Sequence, residues 1–96
     1  MVKHVVLFRF KKESKNQIEK AKEVLLSMQG NVPTAKQITV YLDELKTARS
    51  YDIMLEVIVD NFTALEEYQA DPYHCGVVKE FMLTHSESSV AIDFTI

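Results

Sequence analysis

The chain has 96 residues, 47% hydrophobic and 26% charged, with a formal net charge of −3 and one cysteine. This length supports a single domain over residues 1–96 whose folding buries about 60–65% of the unfolded surface. The balance is that of a soluble globular protein. It gives no reason to expect nucleic-acid or membrane binding, and no apolar run is long enough to span a bilayer. One cysteine excludes an internal disulfide and a cysteine-based zinc cluster. The N-terminal apolar stretch Val5 to Phe8 is too short for a signal peptide, so the expected location is the cytoplasm.

Met1 to Phe10 is rich in Val and Phe and predicts a strand. His4, Val6, Phe8 and Phe10 point one way; Lys3, Val5, Leu7 and Arg9 point the other. Both faces carry apolar members, so both need some cover. Ser14-Lys-Asn-Gln17 has the form of a capping box, with Ser14 as N-cap. The helix it opens runs to about Gln29, with Ile18, Ala21, Leu25 and Met28 at helical spacing. Gly30-Asn31 stops it, and Pro33 confirms the exit. Backbone carbonyls from Gly30 to Pro33 leave room for a hard cation.

A second strand is expected over Ala35 to Asp43 and a third over Tyr51 to Asp60, joined by a polar loop. In the third, Met54 and Ile58 sit opposite the fuller apolar face of Ile53, Leu55, Val57 and Val59. Asn61 or Thr63 caps the next helix, which places Phe62, Leu65 and Tyr68 on its buried side. Pro72 breaks that helix and Asp71 caps a new one, since Pro suits the first helical position. The second helix reaches Leu83 or Thr84, with Val77, Val78, Phe81 and Met82 as its stripe. Gly76 inside it costs about 1 kcal/mol against Ala. His85-Ser-Glu-Ser reads as a polar loop, and Ser89 to Ile96 as the last strand.

The order β-α-β-β-α-β is the ferredoxin-like arrangement of the α+β class. It predicts a four-stranded antiparallel sheet with helices on one face. The other face would carry Val5, Leu7, Met54 and Ile58, and apolar surface on an open sheet face marks an interface. A homodimer is therefore expected.

One stretch carries the chemistry: Tyr68-Gln-Ala-Asp-Pro-Tyr-His-Cys-Gly-Val-Val78. From His74, Val78 and Phe81 follow at helical spacing, so all three share one inward apolar face. A titratable ring there is either a core histidine bonded to backbone or to Tyr68, or a general base near neutral pH. The helix N-terminus disfavours its charged form. Tyr68 is either core or a hydroxyl that orients a carbonyl. His4 is a structural residue or a pocket wall. His4, His74 and Asp93 match no ligand spacing, so no metal site is expected. Cys75 follows His74 directly and diverges from it around the helix, which argues against a nucleophile pair. With two glycines in the chain there is no phosphate-binding loop, and no cofactor is expected.

Val2-Lys3-His4-Val5-Val6-Leu7-Phe8, Tyr68-x-x-x-Pro72-x-His74 and Ile92-Asp93-Phe94 together resemble the stress-responsive A/B barrel family, the dimeric α+β barrels. The resemblance covers essentially the whole chain. It implies two subunits packed sheet against sheet. The family includes olivetolic acid cyclase-type enzymes, which close a ring by cofactor-free aldol condensation. Their His base and neighbouring Tyr would fall on His74 and Tyr68, and their first-strand His on His4. Their pocket between sheet and helices implies a lining of Val6, Phe8 and Leu55 here, with Val78 and Phe81 from the helix.

Two function classes follow. One is a cofactor-independent lyase or cyclase acting on a small apolar carbonyl ligand. The other is a non-catalytic dimeric stress or ligand-binding module. A third, weaker reading is a cofactor-free monooxygenase of the antibiotic-biosynthesis type.

Overall fold

The computed structural model describes residues Met1–Ile96. Strand β1 (Val2–Phe10) leads into a 3₁₀ turn (Lys12–Gln17) and helix α1 (Ile18–Leu26). Strands β2 (Gln37–Leu42) and β3 (Ile53–Val59) follow, then helix α2 (Phe62–Ala70). A π-helical segment (His74–Lys79) runs directly into helix α3 (Glu80–His85), and strand β4 (Ser86–Thr95) closes the chain. The sheet order is β2-β3-β1-β4, all antiparallel. This is the expected ferredoxin-like α+β fold.

Directly paired residues share a face of the sheet. The register pairs His4 with Val57 and Asp93, and Val6 with Leu55 and Ala91. That face carries the helices. Eighteen buried hydrophobic residues form its core, among them Phe10, Leu25, Met28, Ile53, Val57 and Tyr68. On the opposite face Val5 pairs with Ile92, Leu7 with Met54 and Val90, and Lys3 with Ile58 and Phe94. No helix covers this side. Ile92 is 61% exposed and Phe94 38% exposed, although both are large and apolar. The apolar side of β4 thus points away from the helices, and its inner side presents Ser89, Ala91 and Asp93.

Several local expectations are corrected. Ser14 is no N-cap: helix α1 begins at Ile18 after a 3₁₀ turn, and no side chain caps either segment. Ser14 is itself buried, and its hydroxyl meets His85 Nδ1 at 2.9 Å. A buried hydroxyl needs a partner, and the imidazole supplies it. His85 is therefore not in a loop. It ends α3, packed against the rings of Phe10 and Phe81, and β4 begins at once. Phe62 is exposed because it sits in the first turn of α2, off the stripe that Leu65 and Tyr68 bury. Between the two candidates for capping α2, Asn61 does it, accepting from the Ala64 amide at 2.8 Å.

The π-helical segment changes the second stripe. Its wider turn inserts one extra residue per turn relative to α geometry. Burial accordingly passes from Val78 to Met82, while Val77 is exposed and Phe81 turns toward His85.

The Asp71 cap is present. Its Oδ1 accepts from the amides of Tyr73 at 2.8 Å and His74 at 3.2 Å. Asp71→Ala is expected to lower stability by about 1 kcal/mol, and Asp71→Asn or Asp71→Ser to recover most of it, as read by urea denaturation. Equal losses in all three would assign Asp71 some role other than capping.

Candidate active site

Tyr68 ends the buried stripe of α2, and His74 begins the π-helical segment three residues beyond the Asp71 cap. The break at Asp71-Pro72 folds the second element back on the first. The two rings stand 4.6 Å apart between centroids, tilted by 44°. His4 arrives from the middle of β1, and its ring meets Tyr68 edge-on at 5.7 Å.

These three rings border a cavity of about 320 Å³ between sheet and helices. Its apolar wall includes Val6, Phe8, Leu25, Leu55, Val78 and Met82. A volume near 300 Å³ suits a small organic molecule. Of the residues that the sequence placed here, Phe81 alone lies outside, displaced by the π-helical turn; it borders a shallow hollow on the far side of the helix. A larger hollow of about 680 Å³ lies between α1 and the β2–β3 connection, but it is lined mainly by charged and polar surface groups. One of its cations, Lys15, is already paired with Asp52 at 2.8 Å.

The titratable groups have distinct environments. Burial lowers the pKa of His74 below that of a free imidazole. The charges of His4 and Lys79 act the same way, while the Gln69 backbone and the Asp71 carboxylate oppose them. The ring is therefore neutral at physiological pH. Its Nδ1 is buried without a hydrogen-bond partner. Tyr68 is fully buried, and burial pushes its hydroxyl well above the ordinary phenol range. That hydroxyl stays protonated and donates to Met28 Sδ at 3.5 Å. A thioether is a weak acceptor, so a carbonyl oxygen would take this proton readily.

His4 has a stronger anchor. Its Nδ1 hydrogen-bonds the Asp93 carboxylate across the β1–β4 pair. A carboxylate accepts, so a proton sits on Nδ1. No three His, Cys, Asp or Glu side chains come together as a metal-binding group.

The match to known proteins is decided over nearly the whole length: residues 2–96 fit the family model described as Stress responsive A/B Barrel Domain. The chain belongs to that family. Solved structures with this fold include a dimeric protein of unknown function from Bacteroides fragilis, 23% identical with a TM-score of 0.85. That match covers 99% of this chain and 95% of the other. A hydroxynitrile lyase from Passiflora edulis is 22% identical with a TM-score of 0.82, covering 99% and 92% of the two chains. An antibiotic biosynthesis monooxygenase is 12% identical with a TM-score of 0.79, covering 100% and 98%. No curated protein matches the chain in sequence. At such identities the structural likenesses establish the shared A/B barrel fold alone.

Within this A/B barrel chain, sequence reasoning placed Asp93 in a rejected metal set and in the closing family motif, without linking it to His4. Its cross-strand position beside His4 was the signal, since β1 and β4 are neighbours in this topology. Gln69, Lys79, Ser86 and Ser89 also border the cavity and were not singled out.

The lowered His74 pKa predicts how stability changes with pH. As pH falls through about 6.5 the unfolded chain binds the proton first, so stability declines until the folded ring is protonated too. His74→Gln is expected to remove that decline. In urea denaturation the variant should gain on the wild type between about pH 7 and about pH 5. Parallel pH profiles would contradict a neutral, buried His74.

Proposed function

We propose that this chain is a cofactor-independent acid–base enzyme of the lyase or cyclase kind, acting on a small apolar carbonyl compound. The observation that carries the reading is His74: a neutral imidazole with an unpartnered buried Nδ1, bordering a cavity of about 320 Å³. A hydrogen on a carbon next to a carbonyl requires a base that is neutral near pH 7. In this reading His74 takes that proton. The Tyr68 hydroxyl turns from Met28 Sδ to the carbonyl oxygen and stabilises the enolate that forms there. His4, held by Asp93, fixes one wall of the site, with Val6, Phe8, Leu55 and Val78 as the apolar bed. A protein of the same fold bears the name hydroxynitrile lyase, so the architecture can house a lyase site.

A second subunit belongs to this reading. The uncovered sheet face carries Val5, Leu7, Met54, Ile58, Val90, Ile92 and Phe94. Two copies packed through these faces would bury an obligate interface of roughly 2,000 Å² or more in total. Ile58→Asp, which buries an unpaired charge in that interface, is expected to give a monomer or an unfolded chain. Sedimentation of the wild type as a monomer at micromolar concentration would sink the dimer.

The catalytic roles are separable from folding. Neither His74→Gln nor Tyr68→Phe deprives a strong internal partner, because the one side chain has none on Nδ1 and the other meets only a thioether. Each is expected to cost no more than about 1 kcal/mol of stability. Each should slow proton–deuterium exchange of a β-dicarbonyl compound by about 10²- to 10⁴-fold. Losses of several kcal/mol, with no exchange catalysed by the wild type, would leave the non-catalytic binding module.

A further inference from the structure

The cavity is bordered by His4, Tyr68 and His74. Lys79, Gln69, Ser86 and Ser89 also border it. In a chain of net charge −3, no Asp or Glu is among the residues that line it. Asp93 is taken up by His4, and Asp71 by the amides it caps. Lys79 makes none of the ion pairs of this fold, which involve Lys3, His4, Lys15 and Lys36. Its charge nevertheless reaches His74 and disfavours a second positive charge there.

The serines add a second, independent observation. Ser86 and Ser89 lie on the inner face of β4, opposite Phe10 and Phe8 of β1. Ser86 Oγ is buried with no hydrogen-bond partner. A buried hydroxyl left alone is destabilising, and a bound acceptor would relieve it. Only three buried side-chain polar atoms in the chain lack partners, and two of them, Ser86 Oγ and His74 Nδ1, belong to residues that line this one cavity.

From these groups the geometry points to a ligand class: a carbonyl compound bearing a carboxylate, its acid group held by Lys79 and the β4 serines, its carbonyl at His74 and Tyr68. This rests on the acid–base reading above and adds the charge of the substrate. A free ammonium with adjacent hydroxyl donors recognises a carboxylate by charge-assisted hydrogen bonds. The alkyl chain beyond the carbonyl lies along Val6, Leu55, Val78 and Met82. A β-keto acid with a medium-length alkyl chain has this layout.

The test compares 3-oxooctanoate with its methyl ester, which differ in charge and share the keto chain. Isothermal titration gives affinity, and NMR in deuterated water gives exchange at the carbon between the two carbonyls. Wild type is expected to bind the acid about three- to ten-fold more tightly than the ester at low salt. Raising the salt to about 0.5 M should narrow that gap. Lys79→Met should abolish the preference and Lys79→Arg should keep it. Equal affinity for acid and ester, or a preference that survives in Lys79→Met, overturns the carboxylate assignment. If exchange still exceeds the uncatalysed rate in that case, the acid–base reading stands without it. A Lys79-dependent preference with no catalysed exchange supports the carboxylate subsite and removes the catalytic reading. Failure to bind either probe overturns both.

Discussion

A single carboxylate sets the position of the site. Asp71 Oδ1 accepts the amides of Tyr73 and His74. Pro72 lacks an amide, so it cannot continue α2 and fits the start of the next helical element. The two residues together end one helix and begin another. Without that break Tyr68 and His74 would lie on one continuous helix, about 9 Å apart along its axis. With it, their rings meet face to tilted face. The π-helical turn that follows continues the effect: it turns Val78 and Met82 to the cavity and withdraws Phe81.

The edge position of β4 supplies the other half. Sheet order β2-β3-β1-β4 leaves β4 at the sheet edge and mostly exposed, so its inner face is open to polar residues. Asp93 can therefore approach the buried His4 without being fully desolvated itself. A carboxylate buried at the centre of the sheet would carry a desolvation penalty of several kcal/mol. At the edge the same residue stays partly hydrated and still orients the ring. The outer face of β4 follows the opposite logic, with Val90, Ile92 and Phe94 presented to whatever covers the sheet.

The fold was largely legible because its signals are repetitive. Period-two alternation in β1 and β3, the Gly30 stop with its positive φ of 88°, and the Asp71-Pro72 break each act over a few adjacent residues. The errors fall where a distant partner decides. Ser14 looked like a cap, but its hydroxyl is claimed by His85, 71 residues away in sequence. His85 looked like loop because nothing local reveals that Phe10 and Phe81 pack against it. The π-helical turn has no strong sequence signature, so extrapolating α spacing from His74 placed Phe81 one position wrong. Among the site residues, those on one face of one element were readable. Asp93, Lys79, Ser86 and Ser89 needed the sheet register and the helix-to-strand packing before they could be assigned a place.

What distinguishes this site from ordinary core is the quality of its hydrogen bonds. Elsewhere, Thr34 Oγ1 excepted, buried polar side chains are matched: Ser27 lies between the Val24 carbonyl and the Tyr73 hydroxyl, and Asp52 between the Phe10 amide and Lys15. Around the cavity the bonds are weak or missing. Tyr68 has only a thioether, His74 Nδ1 has nothing, and Ser86 has nothing. Native interiors leave few such groups, because each lost bond costs about 1–3 kcal/mol. The nearby Gln69 carbonyl, which favours the charged form of the ring, accepts from Cys75 Sγ at 3.2 Å. Apart from Thr34 Oγ1, the capacity left unused belongs to residues that line a volume of small-molecule size. That pattern stabilises the folded chain less than a closed core would, and it leaves donors and an acceptor free to be completed by a ligand.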